Sequence, residues 1–272
     1  MSASLGGLLK DYRLQKNLSQ LEIAFALGWK DTSRLSRIEQ GRIDKPQRNL
    51  VDRICNIMEL KMEEKNHVLL AGGYRPTMEE ILEVRKDLHS MLHGWPYPAS
   101  VRDFSWRIVD SNQEIFNYYN VPHKARMFIN NELPNIFEVT FSPDFLLNKH
   151  FLDGKEGEYR KTFLTNMIHD FRYHQRNRTK EKWYIHLMKE LMENELFREL
   201  WQCSNEKLVT NSNKVTNFAQ KRGFNKNSPD KHLNMYMFII PYLRDPRFEV
   251  ELYTPSDLTT FKYFSQLTSQ LS

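Results

Sequence analysis

Polar and basic side chains gather between residues 30 and 48 of this chain. Thr32, Ser33, Arg34, Ser36 and Arg37 fall at helical spacing, with Lys30 just before them and Arg42, Lys45 and Arg48 just after. Hydroxyl and guanidinium groups on one narrow stripe suit the hydrogen-bonding pattern of base edges in a major groove, and flanking cations suit phosphates. The rest of the chain offers little for covalent chemistry. No His-Glu-x-x-His, Gly-x-Ser-x-Gly, phosphate-loop glycine run or paired-cysteine motif occurs, so neither an enzyme nor a cofactor is expected. His169-Asp170 and His186 with Glu190 fit helix surface better than catalytic pairs. His89 and His93, four apart on a predicted helix, could share a metal ion, but the sequence indicates no third ligand and no metal site is expected.

The 272 residues carry 39 Lys/Arg against 34 Asp/Glu, a formal net charge of +5 that says little by itself. Its distribution says more. Residues 1–75 hold 13 basic and 9 acidic side chains, and the remainder holds 26 and 25. Aromatic residues divide the other way, with 4 of 34 in the first 75 positions. A basic, aromatic-poor front and a near-neutral, aromatic-rich back imply two domains with different partners, the first suited to a polyanion. Cys55 and Cys203 are the only cysteines, which excludes a disulfide framework and a cysteine zinc site. The longest apolar run, residues 235–243, is far short of the ~18 needed to span a bilayer, and the first residues lack the regions of a secretion signal. A cytoplasmic protein without a membrane segment is expected.

The elements that must position the polar stripe follow from apolar spacing. Leu8, Leu9 and Tyr12 mark a first helix ending near Lys16-Asn17. Ser19 with Glu22 forms a capping box for a helix over 20–27, whose inner face is Ile23, Ala24 and Leu27, and Gly28 ends it. Asp31 is the expected N-cap of a third helix that runs to Gln40 and stops at Gly41, buried through Leu35 and Ile38. Pro46 can start a fourth, with Leu50, Val51, Ile54 and Ile57 inward and Cys55 in the core. Residues 62–71 make a fifth.

The segments Leu-Ser-Gln-Leu-Glu-Ile-Ala-Phe-Ala-Leu-Gly (18–28) and Ser-Arg-Leu-Ser-Arg-Ile-Glu-Gln-Gly (33–41), followed by Pro46, resemble the helix-turn-helix of the XRE, or lambda-repressor-like, family. The resemblance covers about residues 5–71 and implies that the second helix crosses the DNA backbone while the third enters the major groove. It implies a phosphate contact and a bracing role for Gln20, and base-edge contacts for Thr32, Ser33 and Ser36. Arg34 and Arg37 would meet bases or phosphate, and Lys30, Arg42, Lys45 and Arg48 phosphates. Glu39 is expected to be structural, as a salt bridge or cap. Two features depart from the family: the turn through Trp29-Lys30-Asp31 is one residue longer, and Thr32 stands where glutamine is common.

Glycine and proline breakers at 69–77 close this first domain, and a connector helix fits Met78–His93. Beyond it, two short strands surround a turn at Asp103–Ser105, and a helix starts after Asn112. Helical spacing continues to about Cys203. Leu233–Leu243 and Phe248–Tyr253 then flank Arg-Asp-Pro-Arg as a hairpin. Its first strand is apolar nearly throughout, which implies a central position. In its second strand Phe248, Val250 and Leu252 alternate with Glu249 and Glu251 as a buried and a wet face.

Pro98-Ala, Trp106-Arg-Ile-Val, Asn112, Leu133-Pro-Asn-Ile-Phe, Phe197-Arg-Glu-Leu-Trp and Arg247-Phe-Glu-Val-Glu-Leu-Tyr-Thr-Pro are similar to the MmyB-like ligand-binding domain, a PAS-like α+β fold. Ser228-Pro229 stands where that family commonly has a His-Pro pair, and the 125–132 and 211–226 regions match poorly. The resemblance implies a small apolar, fatty-acyl-like ligand, which Trp106, Phe116, Phe137, Phe163, Met167, Trp183, Leu187, Met235 and Met237 could line. The expected architecture is thus an all-α helix-turn-helix domain of five helices (1–75), a connector helix (76–94) and a PAS-like α+β domain with an antiparallel sheet (95–272). Its expected partners are double-stranded DNA with a palindromic operator, a second copy of the chain as homodimer, and the apolar ligand. The alternative is a DNA-binding repressor or antitoxin-like protein whose back half only dimerises or docks a protein.

Overall fold

The computed structural model describes residues 4–119, 121–142, 154–206, 218–222 and 233–271. The chain forms two compact units, and the division is not the one expected from the sequence. Unit 1 is Met1–Leu82 together with Ile240–Glu249, and unit 2 is Glu83–Ile239 with Val250–Ser272. The boundary therefore falls inside the connector helix, and the turn of the late hairpin belongs to the first unit.

Unit 1 is built on α1 (Leu5–Gln15), α2 (Gln20–Ala26), α3 (Ser33–Glu39), α4 (Arg48–Ile57) and α5 (Met62–Ala71). Leu5, Leu9, Ile23, Leu27, Leu35, Ile38, Val51, Ile54, Val68 and Leu69 form one apolar core, with Tyr12, Trp29 and Ile57 packed against it. The capping box at the start of α2 is present, with the Glu22 amide donating to Ser19 Oγ at 3.1 Å and the Ser19 amide to Glu22 Oε2 at 2.6 Å. Gly28 has a φ of 79° and Gly41 one of 70°, left-handed values that let the chain turn out of α2 and α3. Gly6 is needed for a different reason. A Cβ there would stand 2.2 Å from the Ile38 carbonyl oxygen, so α1 lies directly against the end of α3.

Two helix starts differ from expectation. Thr32, not Asp31, is the cap residue of α3, and its own side chain caps nothing. Asp31 Oδ1 instead accepts from the Ser33 amide at 2.8 Å, a local turn that satisfies the first orphan donor of the helix from the residue before the cap. Likewise α4 begins after Gln47 rather than at Pro46. Pro46 is buried before the helix, where its carbonyl accepts from Tyr74 Oη at 2.5 Å.

The 240–249 segment is anchored in unit 1 by Arg247, which has no exposed surface. Its guanidinium meets Asp245 Oδ2 at 2.7 Å, Glu80 Oε1 at 2.9 Å and Asn66 Oδ1 at 3.2 Å. Asn66 Nδ2 donates back to the Arg244 carbonyl at 2.9 Å. Burial alone would push the Glu80 carboxyl up, but its bonds to Arg247, Thr77 and Arg48 outweigh that and hold it down at about 2.

Unit 2 takes the later part of α6 (Met78–Gly94), then β1 (Ala99–Asp103), β2 (Ile108–Ser111), α7 (Gln113–Tyr118), α8 (His123–Glu132) and α9 (Ile136–Thr140). It continues through α10 (Gly154–Gln175), α11 (Lys182–Leu191), α12 (Glu195–Glu206), β3 (Phe218–Arg222), most of β4 (Leu233–Pro241) and of β5 (Phe248–Pro255), and α13 (Leu258–Leu271). The five strands form one sheet in the order β2-β1-β5-β4-β3, and β1 with β2 and β3 with β4 are antiparallel. Central place goes to β5. The apolar β4 has a strand on either side, yet Tyr236, Phe238, Ile239 and Ile240 along it are exposed. Its composition therefore does not report burial.

The alternation expected in β5 also fails at two positions. Glu251 is buried and Leu252 half-buried, because Glu251 accepts from Ser100 Oγ at 3.0 Å and pairs with Arg102 at 2.9 Å. A satisfied ion pair makes that face habitable for a carboxylate. Other polar residues of the strand region are structural in the same sense. Asn112 caps α7 and donates from Nδ2 to the Tyr97 carbonyl at 2.8 Å, while buried Asp103 closes the β1–β2 turn through Ser105 and Arg107. Ser228-Pro229 and most of 211–226 lie outside the described residues.

Candidate nucleic-acid interface

The polar stripe sits on α3, and the geometry behind it explains how so short a helix is held. Leu35 and Ile38 are buried on one side, three residues apart. On the same side Glu39 is 8% exposed and accepts two parallel bonds from Arg13, Nε to Oε1 at 2.7 Å and Nη2 to Oε2 at 3.0 Å. Gln20 Nε2 donates to the same Oε2 at 2.8 Å. A two-pronged arginine–carboxylate pair fixes direction as well as distance, so α1, α2 and α3 are joined at one carboxylate. The structural role expected for Glu39 is thus what the structure shows. The part of Arg13 was not foreseen, because nothing in sequence spacing links residues 26 apart.

The opposite side of α3 faces solvent. Ser33, Arg34 and Arg37 are exposed, and Thr32 and Ser36 half-buried. Ser36 Oγ accepts from Gln40 Nε2 at 2.9 Å, one helical turn along. The Arg34 guanidinium lies over the Trp29 ring, 5.0 Å from its centre, so the lengthened turn before α3 orients an arginine of the stripe. Thr32 as cap fixes the register: Ser33, Arg37 and Gln40 share a face at spacings of four and three.

The flanking cations divide. The side chains of Lys30, Arg37 and Arg42 form no ion pair or hydrogen bond with the described residues, and all three are exposed. Lys45 is also exposed but donates to the Gly73 carbonyl at 3.3 Å and stands over the Tyr74 ring. Arg48 differs from expectation. It bonds the Arg75 carbonyl at 2.9 Å, pairs with Glu80 and reaches Asp52 at 3.6 Å, so its charge is matched inside unit 1. A phosphate contact from Arg48 would have to break those pairs. Gln20 keeps only one of its two amide hydrogens for a phosphate, since Glu39 takes the other.

The nine side chains expected to line an apolar pocket in unit 2 do not converge. Trp106, Phe137 and Leu187, with Phe163, Met167 and Trp183 against them, belong to one core cluster. Phe116 and Met235, with Met237, belong to another. The first cluster is packed ring on ring: Trp106 to Phe171 at 5.3 Å, Phe137 to Phe171 at 5.2 Å, and Phe171 stacked on Tyr184 at 5.9 Å. His186 and Glu190 are exposed neighbours on α11, as expected. His169 and Asp170 are instead half-buried, and burial raises the Asp170 carboxyl. Cys55 is a core residue whose thiol burial pushes up to about 12.

His89 and His93 gain a neighbour that the sequence could not supply. Asp110, on β2, brings Oδ2 within 3.2 Å of His93 Nε2.

A family model described as a helix-turn-helix domain matches residues 4–68 of the chain. No curated protein matches it. Residues 4–68 are therefore a helix-turn-helix domain, which points to a DNA-binding regulator, and no described helix is long and apolar enough to cross a membrane.

Proposed function

We propose that this chain is a sequence-specific transcription regulator of XRE type that binds a palindromic operator as a homodimer and catalyses no reaction. The observation that carries this reading is the exposed stripe Ser33, Arg34 and Arg37 on a helix whose back is locked by the Arg13–Glu39 pair. Ser33, with Thr32 and Ser36 beside it, meets base edges. Arg34 and Arg37 meet bases or adjacent phosphates, while Lys30, Arg42 and Lys45 grip the backbone. Dimerisation follows from size. Seven residues of α3 rise about 10 Å, roughly three base pairs, and so short a site recurs far too often to be specific. Two copies one helical turn apart on a palindrome resolve that. A DNA partner, with no described helix able to cross a membrane, supports a cytoplasmic protein.

For unit 2 the proposal is an MmyB-like, PAS-like fold, supported by the five-stranded sheet with β1 and β5 paired at its centre and helices packed beside it. The mutual packing of Trp106, Phe137, Phe171 and Tyr184 favours a filled interior, hence a unit that dimerises or docks a protein. A fatty-acyl-like ligand that modulates operator binding requires this cluster to open. Native mass spectrometry of the full chain, with solvent extraction, separates the two: a stoichiometric lipid-like mass supports the ligand-modulated regulator, and a clean protein mass supports the docking unit. DNA recognition itself is tested by selecting duplexes from a random pool. A palindromic consensus is expected, and recovery of unrelated sequences would refute the assignment of α3.

A further inference from the structure

The last turns of α6 and strand β2 bring three metal-type ligands together. His89 and His93 are one helical turn apart, their rings 4.5 Å centre to centre, and His93 Nε2 lies 3.2 Å from Asp110 Oδ2. One ligand atom from each of the three residues falls within 4.8 Å of the other two. We infer that His89, His93 and Asp110 form a site for a divalent transition cation of the zinc, nickel or cobalt class. The inference concerns unit 2 alone and does not rest on the DNA-binding reading.

Three features argue for an ion over a simple pair. First, donors about 2.0–2.1 Å from a tetrahedral ion stand roughly 3.3 Å apart, so His93 and Asp110 at 3.2 Å already have the needed separation, and the His89 ligand atom lies within 4.8 Å of both. Second, the carboxylate is oriented from behind. Asp110 Oδ1 accepts from the Ser111 amide at 2.8 Å, which leaves Oδ2 for the histidines. Third, the two elements are tied beside the site, because Arg85, one turn before His89, donates from Nε to the Val109 carbonyl at 2.6 Å. Two imidazoles and one carboxylate select transition ions over magnesium or calcium, and one or more positions remain for water. As a bare ion pair, His93 and Asp110, with side chains 36% and 17% exposed, would contribute little.

The test uses untagged full-length protein stripped with a chelator. Cobalt(II) absorption and zinc(II) calorimetry should show one saturable ion per chain. His89→Ala and Asp110→Asn should each weaken binding by about tenfold or more, with metal-free melting unchanged, while His186→Ala leaves it intact. Absence of saturable binding near one equivalent, or equal affinity in all four proteins, would overturn the site. Should either variant melt early, histidine ring resonances of the unaltered protein decide: zinc must shift two of them, and shifts spread evenly over the histidines would refute the assignment.

Discussion

Single side chains in unit 1 sort into those that hold the reading helix and those that it presents. Glu39 is of the first kind. Glu39→Ala leaves the buried Arg13 guanidinium unpaired and should cost about 3–5 kcal/mol in chemical unfolding, without any change of charge on the exposed stripe. Arg37 is of the second kind. Arg37→Ala should leave the melting temperature unchanged and weaken operator binding by about 1–3 kcal/mol. Unaltered binding in that variant would remove Arg37 from the interface. The types and spacing of the presented residues were legible in the sequence. Their supports were not, because Arg13 to Glu39, Arg34 over Trp29, and Arg48 into Glu80 and Asp52 are partnerships made by packing.

At the scale of elements, α1 to α5 could be traced from caps and breakers, with departures of one or two residues at the starts of α3 and α4. Each has a cause, in the Asp31 side chain that reaches forward to the Ser33 amide or in a proline that sits outside the helix. The close approach of α1 to α3 gives a sharp expectation. Gly6→Ala must displace backbone at Ile38 and Glu39, so it should destabilise unit 1 by about 1–3 kcal/mol and weaken operator binding together. Loss of stability with full operator affinity would show that α1 does not set the pose of α3. In unit 2 period-two reasoning placed β5 but misjudged Glu251, whose burial depends on Arg102 and Ser100, contributed by a strand about 150 positions earlier. Apolar character alone put β4 inside the sheet, where it has a strand on either side, but overstated its burial, since Phe238 and Ile239 are exposed.

For the whole molecule, the discontinuous make-up of unit 1 is the feature that no local pattern announced. Residues 240–249 complete it, and the Arg247 cluster makes its stability acid-sensitive. The Glu80 carboxyl is depressed from 4.5 to about 2 in the folded state, so its contribution is complete above about pH 4.5 and fades as pH falls toward 2. Glu80→Gln should lower stability at neutral pH and flatten that acid limb; an unchanged limb would deny Glu80 the role. The central claim, that α3 and its flanking cations bind DNA, is most directly tested by operator affinity against salt for the full-length protein. With Lys30, Arg42 and Lys45 each neutralising a phosphate in both copies, affinity should fall by on the order of 10³ between 50 and 200 mM salt. An affinity that barely changes over that range would contradict it.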